Sequence, residues 1–396
     1  MYKTYCRIYQ KAFKAGAVFL PWRRPKRLGG YSALANLLSD KNCDSVLVVT
    51  DKGLTSRDLH EGVIGAIRQA GACSVIYDNT AQNPTIDNVD EALALYRAKG
   101  CKAIVALGGG SAIDCGKGVG ARLARKNKTL HQLRGPLKVW LKMPLFIAIP
   151  TTAGSGSEVS VAALVTDSRT NDKFAINDPA LIPHYVLHDP HLTVGLPAEL
   201  TATTGMDALC HAVEAYIGNS NTCRTQMDAI KAVRIIFGNL YDAYLDGHNI
   251  KARANMQKAA YLAGAAFTRA YVGNIHAMSH AISGLYGTPH GLVNAVIMPY
   301  ILDAYGSAIH KPLKDLAIAA SLADSSTPKV VATRRFIDAI RDMNSKMGIQ
   351  EKLSGINTED IPKLAKHALR EANPLYPVPV IFDYDDMVKM FHQIRS

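Results

Sequence analysis

The first half of the chain alternates short, unbroken apolar runs with longer amphipathic stretches. Val46–Thr50, Ser74–Tyr77, Ala103–Leu107 and Leu145–Ile149 are rich in aliphatic and β-branched residues and too short for helices, so they predict buried strands. Between them, Leu59–Ala70 and Val89–Lys99 carry apolar residues at helical spacing, and Gly71 and Gly100 stand where those helices should stop. This alternation implies an open, mainly parallel α/β sheet with helices on both faces. After about Pro197 the β-rich runs vanish, and Met206–Ile217, Asp228–Ala243, Ala252–Arg269 and His276–Leu285 read as helices. The expected organisation is an α/β domain over residues 1–196 and an all-α domain over 197–396. The Pro-rich stretch Asn373–Pro379 is expected to be a late surface loop.

Composition supports two domains: 396 residues, of which 48% are hydrophobic and 20% charged, can bury large cores. No apolar run approaches the roughly 20 residues of a bilayer span, so no membrane partner is expected. Seven cysteines, odd in number, scattered and without a CxxC pair, fit reduced thiols and a cytoplasmic setting. The formal charge is +12, concentrated at Lys3–Arg27 and Arg122–Lys142. The first 39 residues hold eight Lys or Arg and no acid, which is how a transit peptide can look, but Phe19-Leu20-Pro21-Trp22 and Gly29-Gly30 look more like folded chain. There is no nucleic-acid-binding motif. Basic residues around an anionic dinucleotide, or a solvated basic face, account for the charge, and no nucleic-acid partner is expected.

The chemistry concentrates in two places. Asp207 and His211 are four apart in a predicted helix, so they share a face one turn apart. His276 and His280 repeat that spacing, and His290 follows a Gly-Thr-Pro turn. Asp207, His211, His276 and His290 thus form a set of three imidazoles and one carboxylate, which suits Fe²⁺ or Zn²⁺ and leaves a coordination position open. The alternative is a group of unrelated helix histidines.

The second place is the sheet. Gly108-Gly109-Gly110-Ser111 follows a predicted strand and opens a helix, where missing side chains and free N–H groups favour a phosphate. Asp114, three residues after Ser111, matches a capping box. Pro150 to Glu158 (PTTAGSGSE) follows another strand and supplies hydroxyls and flexible backbone at the same edge. Ligands of open α/β sheets bind at the strands' carboxyl ends, so both loops would face one ligand. Asp51 ends a strand, where its carboxylate would accept from a ribose diol and repel a 2′-phosphate, or else simply serve a turn.

Together these residues resemble the iron-containing (group III) alcohol dehydrogenases, which share their fold with dehydroquinate synthase and glycerol dehydrogenase. The resemblance runs through VTDKGL at 49–54, NPT at 83–85, GGGSAIDCGK at 108–117, PTTAGSGSEV at 150–159, TGMDALCHAVEAY at 204–216 and HAMSHAISGLYGTPHG at 276–291. It implies a dehydroquinate synthase-like fold, with an N-terminal dinucleotide-binding domain and a C-terminal helical metal-binding domain. It makes Asp207, His211, His276 and His290 the metal ligands and puts His280 in the place of the family's non-ligand active-site histidine. Asp51, Asn83, Gly109, Gly110, Ser111, Thr151, Thr152, Lys173 and Leu192 fall where the family contacts NAD(P). Ala162 and Ala163, with Phe267 as an apolar wall, lie where substrate-facing side chains are expected.

The implied activity is hydride transfer between a nicotinamide and short- to medium-chain primary alcohols, diols or their aldehydes. NAD(H) is expected over NADP(H), with Fe²⁺ or alternatively Zn²⁺ as the metal. The expected partner is a small-molecule alcohol or aldehyde, and the expected assembly a homodimer. The rival readings are a glycerol dehydrogenase-like or other enzyme of the same fold, and a non-catalytic dinucleotide-binding protein.

Overall fold

The computed structural model describes residues 1–170 and 172–396. The chain divides into two compact units, one of Pro21–Val194 and one of Met1–Leu20 with Gly195–Ser396. The boundary expected between 196 and 197 falls at Val194 and Gly195. The first 20 residues, expected in the α/β domain, belong instead to the helical unit.

The α/β unit is built on β1 (Lys26–Leu28), β2 (Ser45–Val49), β3 (Cys73–Tyr77), β4 (Ala103–Gly108), β5 (Gly135–Pro136), β6 (Leu145–Pro150), β7 (Ala162–Thr166), β8 (Lys173–Asn177) and β9 (Tyr185–Leu187). Six of these form a wholly parallel sheet in the order β1-β9-β6-β4-β2-β3. Three of the four apolar runs, β2, β4 and β6, lie inside it, while the fourth, β3, expected to be buried, is an edge strand with Ile76 exposed. Leu47, Val49, Ile104, Ala106, Phe146 and Ala148 enter the core on one face. Val46, Val48, Ala103, Val105, Leu107, Ile147 and Ile149 enter the core on the other. A strand buried on both faces needs no polar alternation, so it reads as a continuous apolar run. The strands not expected are short or lie at edges, including a second small sheet, β5-β8-β7, with β7 and β8 antiparallel.

Helix ends follow local chemistry. The helix expected from Val89 begins at Ile86, because Thr85 Oγ1 accepts from Asn88 N at 3.1 Å and Asn88 Oδ1 accepts from Thr85 N at 3.1 Å. Gly71 and Gly100 follow their helices with φ of 74° and 61°, a left-handed conformation that suits glycine.

The helical unit has no strand among the described residues, only an isolated bridge between Leu353 and Arg395. Ala198–Ile217, Ile250–Ala270, Asn274–Tyr286 and His290–Tyr305 carry the residues of interest. The helix expected over 228–243 is two, Cys223–Phe237 and Leu240–Leu245, broken at Gly238. His290–Ala319, contrary to the reading of apolar run lengths, is long and apolar enough by composition to cross a membrane. Its apolar window is 61% buried inside the unit, as in a core helix.

Asn373–Pro379 is not a surface loop, since none of its residues is exposed. The N-terminal helix Tyr2–Ala17 covers it: Arg7 donates to Val378 O and Pro379 O, both at 2.6 Å, and Gln10 Nε2 donates to Tyr376 O at 2.7 Å. These carbonyls have no helix or sheet partner, so side chains from elsewhere help to satisfy them, Arg7 at Val378 and Pro379 and Gln10 at Tyr376. That gives part of the basic N-terminus a structural role.

Candidate active site

In the α/β unit, β2 leads to β3 on one side while β4 returns to the other side of β2, so the strand order reverses between β2 and β4. Asp51 follows β2 there, and the glycine loop follows β4. Asp51 caps a short helix, its Oδ1 accepting from Leu54 N at 3.1 Å. Gly108 has φ +153°, and a Cβ on it would lie 2.6 Å from Ala112 Cβ and 3.6 Å from Asp51 Oδ2. The φ and the approach to Ala112 make glycine the residue for this turn, which lies beside the Asp51 carboxylate.

The next helix, Gly110–Ala124, starts at Gly109 without a side-chain cap, leaving its first N–H groups for a ligand. Thr151 N donates to Gly108 O at 3.0 Å, which holds the second loop beside the first. Thr152 and Ser155 lie against Gly109 and Gly110, respectively. Ser111 is inside the helix, its hydroxyl donating to Gln82 O, and Lys173 Nζ donates to the neighbouring Asn83 Oδ1 at 2.9 Å. Six of the nine expected nucleotide residues, Asp51, Gly109, Gly110, Ser111, Thr151 and Thr152, thus follow the ends of β2, β4 and β6, and Asn83 and Lys173 lie next to them. Leu192 is in the core with Leu54, Leu107 and Ile149.

Two expectations change here. Asp114 does not close a capping box, because Ser111 lies within the helix. Its buried carboxylate instead accepts from Ser157 Oγ and, at 3.1 Å, from Leu164 N, tying the helix to the second loop. Burial pushes the Asp114 carboxyl up. Beside it the fully buried Lys117 donates to Ser160 O at 2.9 Å and Ala162 O at 2.7 Å, and burial pulls its ammonium down to about 8. Ala163, expected to face substrate, is fully buried in the core near Val165 and Phe174. Neighbouring strand residues face opposite sides, so Ala162 and Ala163 cannot both line one site.

In the helical unit, Asp207, His276 and His290 come from three different helices and converge. Their ligand atoms lie within 4.8 Å of one another. Asp207 Oδ1 is 3.8 Å from His276 Nε2 and 3.7 Å from His290 Nε2. Gly291 permits the approach: a Cβ there would fall 2.4 Å from Thr203 O and 3.4 Å from Asp207 Cβ. His211, also buried, has Nδ1 3.9 Å from Asp207 Oδ1, and its ring stacks on His276 and on Phe267, with centroids 4.5 and 4.2 Å away.

Each of the three has a partner that sequence reading did not single out. Glu214 Oε2 accepts from His276 Nδ1 at 2.6 Å. Ser279 Oγ accepts from His290 Nδ1 at 2.8 Å while donating to His290 O at 3.3 Å. Asn294 Nδ2 donates to Asp207 Oδ1 at 2.8 Å and lies 3.3 and 3.1 Å from the Nε2 atoms of His276 and His290. Helical spacing was the available signal: Glu214, Ser279 and Asn294 lie seven, three and four residues past Asp207, His276 and His290. With protons on both Nδ1 atoms, two Nε2 lone pairs and a carboxylate oxygen share one amide in a buried site. A divalent cation is the partner such a donor set suits.

His280 stacks on His290 at 4.9 Å, and its Nδ1 donates to Glu371 Oε1 at 2.5 Å. Tyr376 OH donates to the same oxygen at 2.7 Å. Burial opposes the charged form of Glu371, yet His280 and Tyr376 hold its carboxyl below the usual range. Burial likewise opposes a charged His276, and the carboxylates around it, Glu214 foremost with Asp207 and Glu371, more than offset that, so the imidazole is raised.

The model of the iron-containing alcohol dehydrogenase matches residues 27–190, and that of the C-terminal part of the Fe-containing alcohol dehydrogenase family matches 201–395. The chain is 37% identical over 369 residues to the 1,3-propanediol dehydrogenase of Citrobacter freundii, covering 91% of each. It is 35% identical to the NAD-dependent methanol dehydrogenase of Bacillus methanolicus, covering 87% of this chain and 90% of that one. A solved 1,3-propanediol oxidoreductase superposes with a TM-score of 0.90 at 33% identity, covering 95% of this chain and 100% of the other. The chain belongs to the iron-containing alcohol dehydrogenase family and is an oxidoreductase. Membership implies a metal and a nicotinamide cofactor.

Proposed function

We propose that this enzyme interconverts short- to medium-chain primary alcohols or diols and their aldehydes, using NAD(H) in preference to NADP(H) and Fe²⁺, with Zn²⁺ as a substitute. The convergence of Asp207, His276 and His290, with both Nε2 atoms facing the carboxylate, carries this reading. Together with His211 they would hold the metal. When bound, the metal supplies Lewis acidity toward the substrate oxygen and the nicotinamide accepts or donates the hydride.

The protein's own groups do the rest. The glycine loop and the start of its helix offer backbone N–H groups to the pyrophosphate. Asp51 offers an acceptor to a ribose diol and repulsion to a 2′-phosphate. His280, its Nδ1 proton held by Glu371, keeps Nε2 available to take or return a proton. Phe267 supplies an apolar wall, which favours unbranched carbon chains over heavily hydroxylated ones. Two relatives carry names of simple primary alcohols, and one is named as NAD-dependent, in keeping with this choice.

The test is a panel of C2–C6 alcohols, diols and aldehydes with NAD(H) and NADP(H) after loading with Fe²⁺ or Zn²⁺. Metal-dependent turnover of several straight-chain aldehydes with NADH is expected. Turnover of one polyol alone, with those aldehydes inert, would overturn the substrate assignment.

A further inference from the structure

Glu214 stands out because three donors converge on one buried carboxylate. It lies on the same helix as Asp207 and His211, three residues past His211 and 3% exposed. Oε2 accepts from Gly273 N and Oε1 from Ile275 N, each at 2.8 Å, while His276 Nδ1 donates to Oε2 at 2.6 Å. Gly273 occupies the N-cap of the helix Asn274–Tyr286 and has no side chain to cap it. Glu214 therefore caps, from a neighbouring helix, the very turn that carries His276, where its negative charge meets the positive end of the helix.

Cys210, Glu214 and His276 also bring their donor atoms within 4.8 Å, which raises the possibility of a second ion. The hydrogen bonds argue against it. Both Glu214 oxygens already accept backbone N–H groups. His276 Nδ1 must carry a proton for Nε2 to present a lone pair toward Asp207 and His290.

We propose that Glu214 is a positioning residue for the metal: it keeps the His276 proton on Nδ1, fixes the ring, and so commits Nε2 to ligation. This rests on the metal site proposed above. A carboxylate suits the task because it only accepts. In Glu214→Gln the NH₂ faces Ile275 N–H in one flip and both Gly273 N–H and Nδ1–H in the other. In the second flip the ring proton moves to Nε2, the ligand atom, and Nδ1 then accepts from the NH₂.

The test measures Zn²⁺ affinity by chelator competition in wild type, E214Q and H276A, together with the melting temperature of each metal-free protein. Outer partners of metal-bound histidines typically change affinity about 10–100-fold. E214Q is expected to bind Zn²⁺ weaker by that factor, with helical content retained. An E214Q protein that melts earlier when metal-free but binds Zn²⁺ as tightly as wild type would reduce Glu214 to a helix cap and overturn the proposal. Wild type that binds no Zn²⁺, or H276A that binds it equally well, would overturn the metal site and this inference with it. Should E214Q not fold, ¹⁵N spectra of the metal-free wild type decide: a neutral His276 protonated on Nδ1 supports the assignment, and one protonated on Nε2 overturns it.

Discussion

Phe267 lies face to face with His211, their ring centroids 4.2 Å apart and their planes inclined by 19°. One side chain from the helix Ile250–Ala270 thereby backs a metal-ligand candidate and presents an apolar surface beside it. The notion of a substrate wall and that of a support for His211 are compatible, and they separate on mutation. Phe267→Ala should widen the wall. One methylene in an apolar pocket is worth about 1–3 kcal/mol, so the kcat/KM ratio of hexanal to propanal should rise about tenfold or more. An unchanged ratio would leave Phe267 as a support for His211 only.

Of the three converging residues, His290 has the most exposed side chain, at 28%, and begins its helix rather than lying within it. His290→Ala should therefore cost little packing. Turnover should fall to background and bound metal should drop well below one per chain, while the metal-free protein melts within a few degrees of wild type. Equilibrium dialysis followed by metal analysis checks this. Stoichiometric metal with full turnover would remove His290 from the ligand set.

Asp51 both caps a turn and faces Gly108, so the informative variant keeps the cap and removes the charge. Asn is as good an N-cap as Asp. Two charges about 4 Å apart repel by about 1–4 kcal/mol between the dielectric limits of water and a protein surface. Asp51→Asn should lower the NADH:NADPH ratio of kcat/KM by about tenfold or more. If wild type already prefers NADPH, the carboxylate does not serve the ribose.

His184 gives a pH dependence with a definite sign. Burial, with Arg23 and Lys142 nearby, lowers its imidazole to about 4, and Nδ1 accepts from Phe146 N at 3.1 Å. The ordinary value in an unfolded chain is about 6.5. Between these two values the unfolded state binds more protons, so stability rises with pH. This contribution is present above about 6.5 and is lost as pH falls through about 4. His184→Gln should reduce the fall in urea midpoint between pH 7 and pH 4.5. Equal falls in both proteins would remove His184 as a source of acid sensitivity.

How legible the protein was in its sequence depended on the range of the interactions involved. The central strands were readable because β2, β4 and β6 are buried on both faces, which demands unbroken apolar runs. The short strands β1, β5 and β9 were not, because two or three residues are too few to leave a pattern. Asp207 and His211, and the glycine loop after β4, were readable because local geometry alone puts them on one helix face or at one strand end. Glu214, Ser279 and Asn294 carried the same helical signal, but a spacing does not tell a supporting residue from an ordinary buried one. That required the other helices to be in place.

Only tertiary structure decided that Glu371, 91 residues from His280, meets it, and that Arg7 satisfies carbonyls near residue 378. It moved the first 20 residues from the α/β domain to the helical unit, and turned the Pro-rich stretch from a surface loop into a covered segment. It also sent Ala163 into the core and gave Asp114 a cross-loop tie instead of a cap. Each of these depends on which distant donor or apolar surface reaches a group. Chain-local propensity carries no record of that, whereas the periodicity of a helix face or a buried strand is written along the chain itself.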